Sequence, residues 1–243
     1  MEQPTELMET SEQALNQISG GHVLDVGTGA GDFISFLREN MRDYIDIFGI
    51  DCNEKLLQDA RLAHDLENIR FQTMDAARMD FSDSTFDTVC MSNSMHHMGD
   101  LPRVLYEVMR VCKPGGHIIF RETYQDGQSE TQQTQVLFHH WRAAIDTAQG
   151  ITHHETLTRQ QILELARKLG LQNLKYYDEI DLQSDPKDPD LAQRLDSIID
   201  RYIQQSRAMD GGEELVRRGE ELHLRVHEVG FHNASSLLMI GEK

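Results

Sequence analysis

The feature that most constrains this chain is a short apolar run ending in three closely spaced glycines, Val23-Leu24-Asp25-Val26-Gly27-Thr28-Gly29-Ala30-Gly31. Glycine lets the backbone turn where a side chain would clash, and it lets a ligand approach with no Cβ in the way. The helical spacing of Phe33, Phe36 and Leu37 follows, so the segment reads as strand, turn and helix. The alternation then continues. DIFGID at 46–51 is a second strand, Glu54 to Leu66 a helix, Ile69 to Thr73 a third strand and Phe86 to Met91 a fourth. Apolar residues at 101, 104, 105, 108 and 111 mark another helix. Lys113-Pro114-Gly115-Gly116 stops it and leads into a fifth strand at 117–122. Strands and helices in this order predict an α/β fold: a doubly wound, mostly parallel sheet with helices on both faces.

Two stretches break the rhythm. Residues 125–155 are polar and rich in Gln and His, with a helix expected around Gln132 to Ala148. A helix at Arg159–Leu169 and a strand at Asn173–Ile180 resume the pattern. Residues 183–232 then bring an acidic, proline-containing loop and two amphipathic helices separated by Gly211-Gly212. The last strand, at 235–241, is expected to pair antiparallel with the strand before it. The first twenty residues read as a short helix broken by Gly20-Gly21. The organisation expected is one domain over 1–243, with the insertions at about 125–155 and 183–232 forming a cap or lid.

Charge narrows the partners. Forty-one acids against 23 lysines and arginines give a formal charge of −18. Such a surface repels phosphate backbones and anionic lipid, which argues against nucleic acid and membrane partners. No apolar run reaches the ~20 residues that span a bilayer, and the acidic start, MEQPTELMETSEQ, lacks the pattern of a secretory signal. Cys52, Cys90 and Cys112 are not spaced as zinc ligands, and two of them fall in apolar segments, where free buried thiols are expected. A cytoplasmic location follows as the expectation. A homodimer is left open.

The glycine turn alone does not name its ligand. Position 32 is Asp32, so the dinucleotide Gly-x-Gly-x-x-Gly register is missing, and no Gly-Lys-Ser/Thr makes it a phosphate-binding P-loop. Asp51, at the end of the second strand, stands where a carboxylate accepts hydrogen bonds from ribose hydroxyls, which suits any ribose-bearing ligand. Asp75, in Met74-Asp75-Ala76, can meet an adenine amino group or simply cap a helix.

Taken together, VLDVGTGAGDF, GID, MDA, FSDSTFDTVCMSNSMHHM and RVCKPGGHIIF occur in order over roughly residues 20–122. This set resembles the class I S-adenosylmethionine-dependent methyltransferases, and within them the small-molecule branch similar to quinone-biosynthesis methyltransferases. The resemblance implies a Rossmann-like sheet with an antiparallel last strand, S-adenosylmethionine as cofactor, and a small-molecule acceptor whose identity the motifs do not specify. It places Gly27, Thr28, Gly29 and Gly31 under the methionine part of the cofactor and has Asp25 order that loop or meet the methionine ammonium through water. It gives Asp51 to the ribose, Asp75 and Ala76 to the adenine, and Asn93 to the region where donor and acceptor meet. Cys52 stands where the family often has an apolar residue against adenine.

The histidine doublets invite further roles. His96 and His97 are candidates for a general base, although a packed ring beside one bordering the pocket is the simpler reading. His139-His140-Trp141 and His153-His154-Glu155 lie in the first insertion. Adjacent helical residues point about 100° apart, so one doublet is a poor chelate. One His from each with a carboxylate such as Glu122 would make a metal site, but a polar pocket wall is the simpler expectation and no metal is assigned. Tyr124, His140, Trp141 and His154 are the expected acceptor-pocket residues. Arg121 and Glu122 end the fifth strand facing the same region. Two other classes remain as alternatives: a non-catalytic S-adenosylmethionine-binding regulator and a nucleotide-cofactor oxidoreductase.

Overall fold

The computed structural model describes residues 9–243. The expected helix in the first twenty residues is α1 (Ser11–Leu15), and the part of that expectation covering 1–8 lies outside the described residues. Then follow β1 (His22–Val26), α2 (Asp32–Asn40), β2 (Asp46–Asp51), α3 (Glu54–Ala63), β3 (Ile69–Thr73) and β4 (Phe86–Ser92). A single 3₁₀ turn (Met95–His97) leads to α4 (Leu101–Val111), β5 (Cys112–Thr123), α5 (Glu130–Ala148), α6 (Arg159–Lys168) and β6 (Gln172–Glu179). The chain ends with α7 (Pro189–Arg207), α8 (Glu213–Glu228) and β7 (Ser236–Glu242).

The helix starts follow local chemistry. Asn53 caps α3 by accepting from Lys55 and Leu56, and Asp100 caps α4. Ser129 with Gln132 and Thr158 with Gln161 form capping boxes on α5 and α6. α2 differs: its N-cap is Gly31, at φ +88°, with no side-chain cap. A glycine there leaves the first backbone N–H groups of α2 uncovered by any cap side chain.

The seven strands form one sheet in the order β3-β2-β1-β4-β5-β7-β6. The first five are parallel to their neighbours; β7 is antiparallel to both β5 and β6. The antiparallel pairing with β6 is the expected one, but β7 lies inside the sheet and leaves β6 at the edge. Its all-but-continuous burial accounts for this, since a strand buried over Ser236–Gly241 needs neighbours on both sides. Strand five starts earlier than expected: Phe86 pairs with Cys112, and the register shifts before Thr88 meets His117, which makes Lys113–Gly116 an irregular part of β5.

One face of the sheet packs Val104, Leu105 and Val108 of α4 and Ile162 and Leu163 of α6 against Leu24, Met91, Ile118 and Phe120. The other packs Leu15 of α1 and Ile34 and Leu37 of α2 against Val23, Cys90 and Ile119. Each such fully buried aliphatic contributes about 1.5–3 kcal/mol. A third core joins the two insertions, with Trp141 and Ile145 of α5 among Leu195, Ile199 and Ile203 of α7 and Leu222 and Val226 of α8. The insertions are therefore one helical unit rather than two separate excursions. Cys90 and Cys112 are buried free thiols, as their apolar surroundings suggest. No described helix is long and apolar enough to cross a membrane.

Candidate functional site

β1 is followed on one side by β2 and on the other by β4, so the order of strands reverses between β1 and β4. In open α/β sheets this switch point opens a crevice at the carboxyl ends of the strands. The glycine turn lies there. Gly27 and Thr28 donate backbone N–H groups to Ile50 O, at 2.8 and 3.0 Å. Gly27, Gly29 and Gly31 all have positive φ, but they do different work. A Cβ on Gly27 would lie 2.7 Å from Ser94 Cβ, and one on Gly31 would lie 2.7 Å from the His64 ring. A Cβ on Gly29 would meet nothing within 4 Å. Gly27 and Gly31 serve close packing within the chain, whereas the face of Gly29 is open to a ligand.

Asp25 orders this turn. Its Oδ2 accepts the Thr28 hydroxyl at 2.6 Å, while Oδ1 is buried with no partner. Burial pushes the Asp25 carboxyl up to about 7, against the pull of the Thr28 hydrogen bond. Asp51 holds the same turn from the next strand: Oδ2 accepts Gly29 N–H at 2.9 Å and Oδ1 accepts Asn53 N–H at 2.8 Å. A carboxylate has about four acceptor positions, so each oxygen keeps one for a ligand hydroxyl. Asp75 is exposed and accepts Ala77 N–H at 2.9 Å, beside a half-buried Ala76. Cys52 is exposed next to Asp51.

The turn after β4 packs on the glycine turn from the other side. Ser94 Oγ donates to Val26 O at 3.3 Å. Asn93 takes a left-handed φ of +45°, which asparagine tolerates better than most residues, and its Oδ1 accepts both the N–H and the hydroxyl of Thr123. Glu122 fixes this turn from below, a role that the sequence reading, with Glu122 as strand end or metal carboxylate, did not find. A signal was present: by strand alternation Glu122 shares a face with Ile118 and Phe120, which turns its carboxylate inward.

Two adjoining cavities open here. The larger, about 950 Å³, is lined by Asp32, Phe36, Asn93, Arg121, Tyr176 and Tyr177 among others. The smaller, about 170 Å³, is lined by His96, His139, Val136 and Thr156 and shares Asn93, Thr123, Gln135 and Ala234 with the larger. Arg121 is tied to Glu179 at 2.6 Å, and Ser11 donates to the same carboxylate, so α1 borders the larger cavity.

Of the expected pocket residues, none lines either cavity. Trp141 is fully buried in the helical unit, where its Nε1–H donates to Leu215 O at 2.7 Å. The correction has a physical reason: the apolar ring is worth more inside a helix-packed core than on a wet wall. Tyr124 is buried, with its hydroxyl 3.2 Å from Asp178. His140 pairs with Thr156 Oγ1 at 3.0 Å, and exposed His154 uses its backbone N–H to reach His96 O. His139, the neighbour passed over in its doublet, is the one that faces the cavity. Of the candidate bases, His96 is buried with Nδ1 3.5 Å from Glu122 Oε2. His97 is exposed by surface area, yet its ring lies 4.2 Å from that of His153. Partial burial of the ring, then repulsion from His96 and His153, pushes its pKa down to about 3.

Comparison with known proteins agrees with this geometry. Residues 18–181 match the family model described as a methyltransferase domain. The chain is 34% identical over 103 residues to the ubiquinone/menaquinone biosynthesis C-methyltransferase UbiE of Desulfotalea psychrophila, covering 42% of each protein. It is 33% identical over 112 residues to the demethylmenaquinone methyltransferase of Staphylococcus saprophyticus, covering 46% of this chain and 48% of that one. The match thus spans less than half the length of these curated relatives. In fold, the chain is similar to an S-adenosylmethionine-dependent methyltransferase from Mesorhizobium loti, with TM-score 0.54, 17% identity and 96% of each chain covered. The matched family is that of methyltransferase domains and not of nucleotide-cofactor oxidoreductases. By its glycine turn, its strand order and its match over most of its length, this chain belongs to the methyltransferase-domain family.

Proposed function

We propose that this chain transfers a methyl group from S-adenosylmethionine to a polar small molecule held in the larger cavity. The observation that carries the proposal is the placement of Asn93-Ser94: Ser94 packs on Gly27, and Asn93 lines both cavities. The cofactor groove and the acceptor space therefore meet at one turn. S-adenosylmethionine supplies a methyl carbon activated by its positively charged sulfur. The chain supplies placement. Gly29 gives an open backbone surface for the methionine portion beside Gly27 and Thr28, and Asp25, which holds Thr28 through one oxygen, keeps the other without a partner. Asp51 offers its remaining lone pairs to the ribose, and Asp75 with Ala76 borders the adenine.

Alignment of donor and acceptor lowers the barrier by up to roughly 7–11 kcal/mol without covalent help from the protein. An acceptor whose lone pair is already free needs no base. His96, buried beside Glu122 at the smaller cavity, is the better placed of the two candidate histidines for an acceptor that carries a proton.

The acceptor class follows from the lining. Glu12, Asp32 and Asp181 line the larger cavity with no salt bridge among the described residues, while Asp178 and Glu179 there are paired with Arg159 and Arg121. Such a wall repels anions and suits a polar neutral or cationic acceptor better than a long apolar one. Gln135 of α5 and Asn233 and Ala234 after α8 also line it, which supports a cap role for the helical unit, excluding water during transfer. The test is release of S-adenosylhomocysteine across a panel of amines, phenols and quinols. Turnover with at least one polar acceptor, lost in Asp51→Ala, is expected. Turnover that favours prenylated quinols over every polar acceptor would overturn the acceptor class.

A further inference from the structure

Three histidines from separate segments converge beside the smaller cavity: His96 on the 3₁₀ turn, His139 on α5 and His153 in the loop after α5. One ring nitrogen of each lies within 4.8 Å of the others. His139 Nε2 and His153 Nε2 face each other at 3.1 Å. Nitrogen ligands about 2.0–2.1 Å from a tetrahedral ion stand about 3.3 Å apart, so this spacing is close to that of a metal centre.

The surroundings prepare these rings as ligands. His153 Nδ1 donates to Asp146 Oδ2 at 2.6 Å, which fixes its tautomer and turns the lone pair of Nε2 toward His139. Asp146 and His139 are seven residues apart on α5, two turns along one face. The loop is pinned as well: Ile151 N–H donates to Asp146 O at 2.9 Å, Thr147 Oγ1 to His153 O at 3.0 Å, and His154 N–H to His96 O at 2.8 Å. His139 Nδ1 is buried without a partner, so this ring is held only through the nitrogen that faces the cluster. Without an ion, the same 3.1 Å contact is a hydrogen bond in which His139 Nε2–H donates to His153 Nε2, and metal titration separates the two arrangements.

We propose that His96, His139 and His153 bind one divalent transition-metal ion of the zinc class, with Asp146 as the carboxylate that orients His153. The expectation of no metal, drawn from the sequence, is replaced by this proposal. Three protein ligands leave one coordination position open, as in catalytic zinc sites. His96 and His139 line the smaller cavity, so that position opens toward the space shared with the larger one. With the ion bound, His96 is a ligand and no longer serves as a base; that the open position instead takes an oxygen or nitrogen of the acceptor, lowering the pKa of a bound hydroxyl, rests on the methyl-transfer reading, whereas binding of the ion does not.

A second group, Asp196, His223 and His227, lies partly exposed on α7 and α8 and would confuse a metal count. The test therefore uses the full chain carrying His223→Ala, stripped of metal and titrated with cobalt(II) while visible absorption is recorded. One cobalt per chain is expected, with ligand-field bands and micromolar or tighter affinity. His139→Ala and His153→Ala should weaken binding at least tenfold, and Asp146→Asn by about 10–100-fold. Zinc should also raise the melting temperature of the His223→Ala chain, a readout that needs no further variant to fold. Absence of cobalt bands, no thermal shift with zinc, or bands that survive in folded His139→Ala and His153→Ala would each overturn the site. Calorimetry with S-adenosylmethionine on the same samples separates this outcome from failure of the methyltransferase reading.

Discussion

Glu122, at the end of β5, accepts the backbone N–H of Ser94 at 2.9 Å, and the same oxygen accepts that of Met95 at 3.0 Å. The carboxylate is almost fully buried, at 2% exposure, so no water replaces it if it is lost. One side chain thus shapes the turn on which donor and acceptor spaces meet.

Truncation of Glu122 should therefore destabilise the fold as well as the site. Glu122→Ala leaves two buried N–H groups unsatisfied, a loss of about 2–3 kcal/mol. For a chain of this size that lowers the melting temperature by roughly 5–10 °C. Glu122→Gln keeps a carbonyl acceptor and should lose less than half as much. Calorimetric melting of both variants checks this, and equal losses would contradict the acceptor role.

The glycines separate by function. Gly29→Ala should cost about 1–2 kcal/mol of stability for its left-handed backbone and should weaken cofactor binding more than tenfold, because its Cβ enters the open face. Gly31→Ala carries the same backbone cost and in addition meets the His64 ring at 2.7 Å, so it should lose more stability than Gly29→Ala. Melting curves alongside cofactor titrations distinguish the two patterns.

Asp25 gives a pH signature. Its carboxyl is raised from 3.8 to about 7 in the folded chain, so the folded state holds a proton that the unfolded state releases. The stabilising contribution is complete below about pH 4 and is lost as pH rises toward 7. Asp25→Asn cannot ionise and still accepts from Thr28. Its melting temperature relative to wild type should therefore rise between pH 5 and pH 8, as measured by parallel thermal scans. A difference that stays constant with pH would contradict a raised Asp25.

Trp141, the single tryptophan, reports on the helical unit rather than the acceptor. Trp141→Phe should lose about 1–3 kcal/mol by leaving Leu215 O without its donor and should leave the KM for the acceptor unchanged. A rise in KM with stability intact would put this ring back in the pocket. Native emission should be blue-shifted and should move red on unfolding.

Much of the fold was legible because local signals agreed. β2 and β3 fall at the residues that the apolar runs mark, and α4 spans the helical stripe from Leu101 to Val111. The glycine turn and Asp51 come together because strand, turn and helix follow directly in the chain. What was not legible depends on partners far away in sequence. Trp141 reads as an aromatic wall until α7 and α8, more than 40 residues later, cover it. Of its doublet the sequence reading took His140 for the pocket, and only the rotation of α5 and the return of the 151–158 loop choose His139. The inward Glu122 was readable from alternation with Ile118 and Phe120, but its partners across the sheet were not. The position of β7 between β5 and β6 is likewise a matter of sheet pairing, which strand order along the chain leaves undetermined.

The central claim is that the turn at Gly27–Gly31 with Asp51 binds S-adenosylmethionine. Calorimetric titration of the metal-stripped chain with S-adenosylmethionine, and separately with NAD, tests it most directly. Micromolar binding of S-adenosylmethionine alone, weakened at least tenfold in Asp51→Ala, is the predicted result. Binding of NAD in its place, or affinity for S-adenosylmethionine unchanged in Asp51→Ala, would contradict the account.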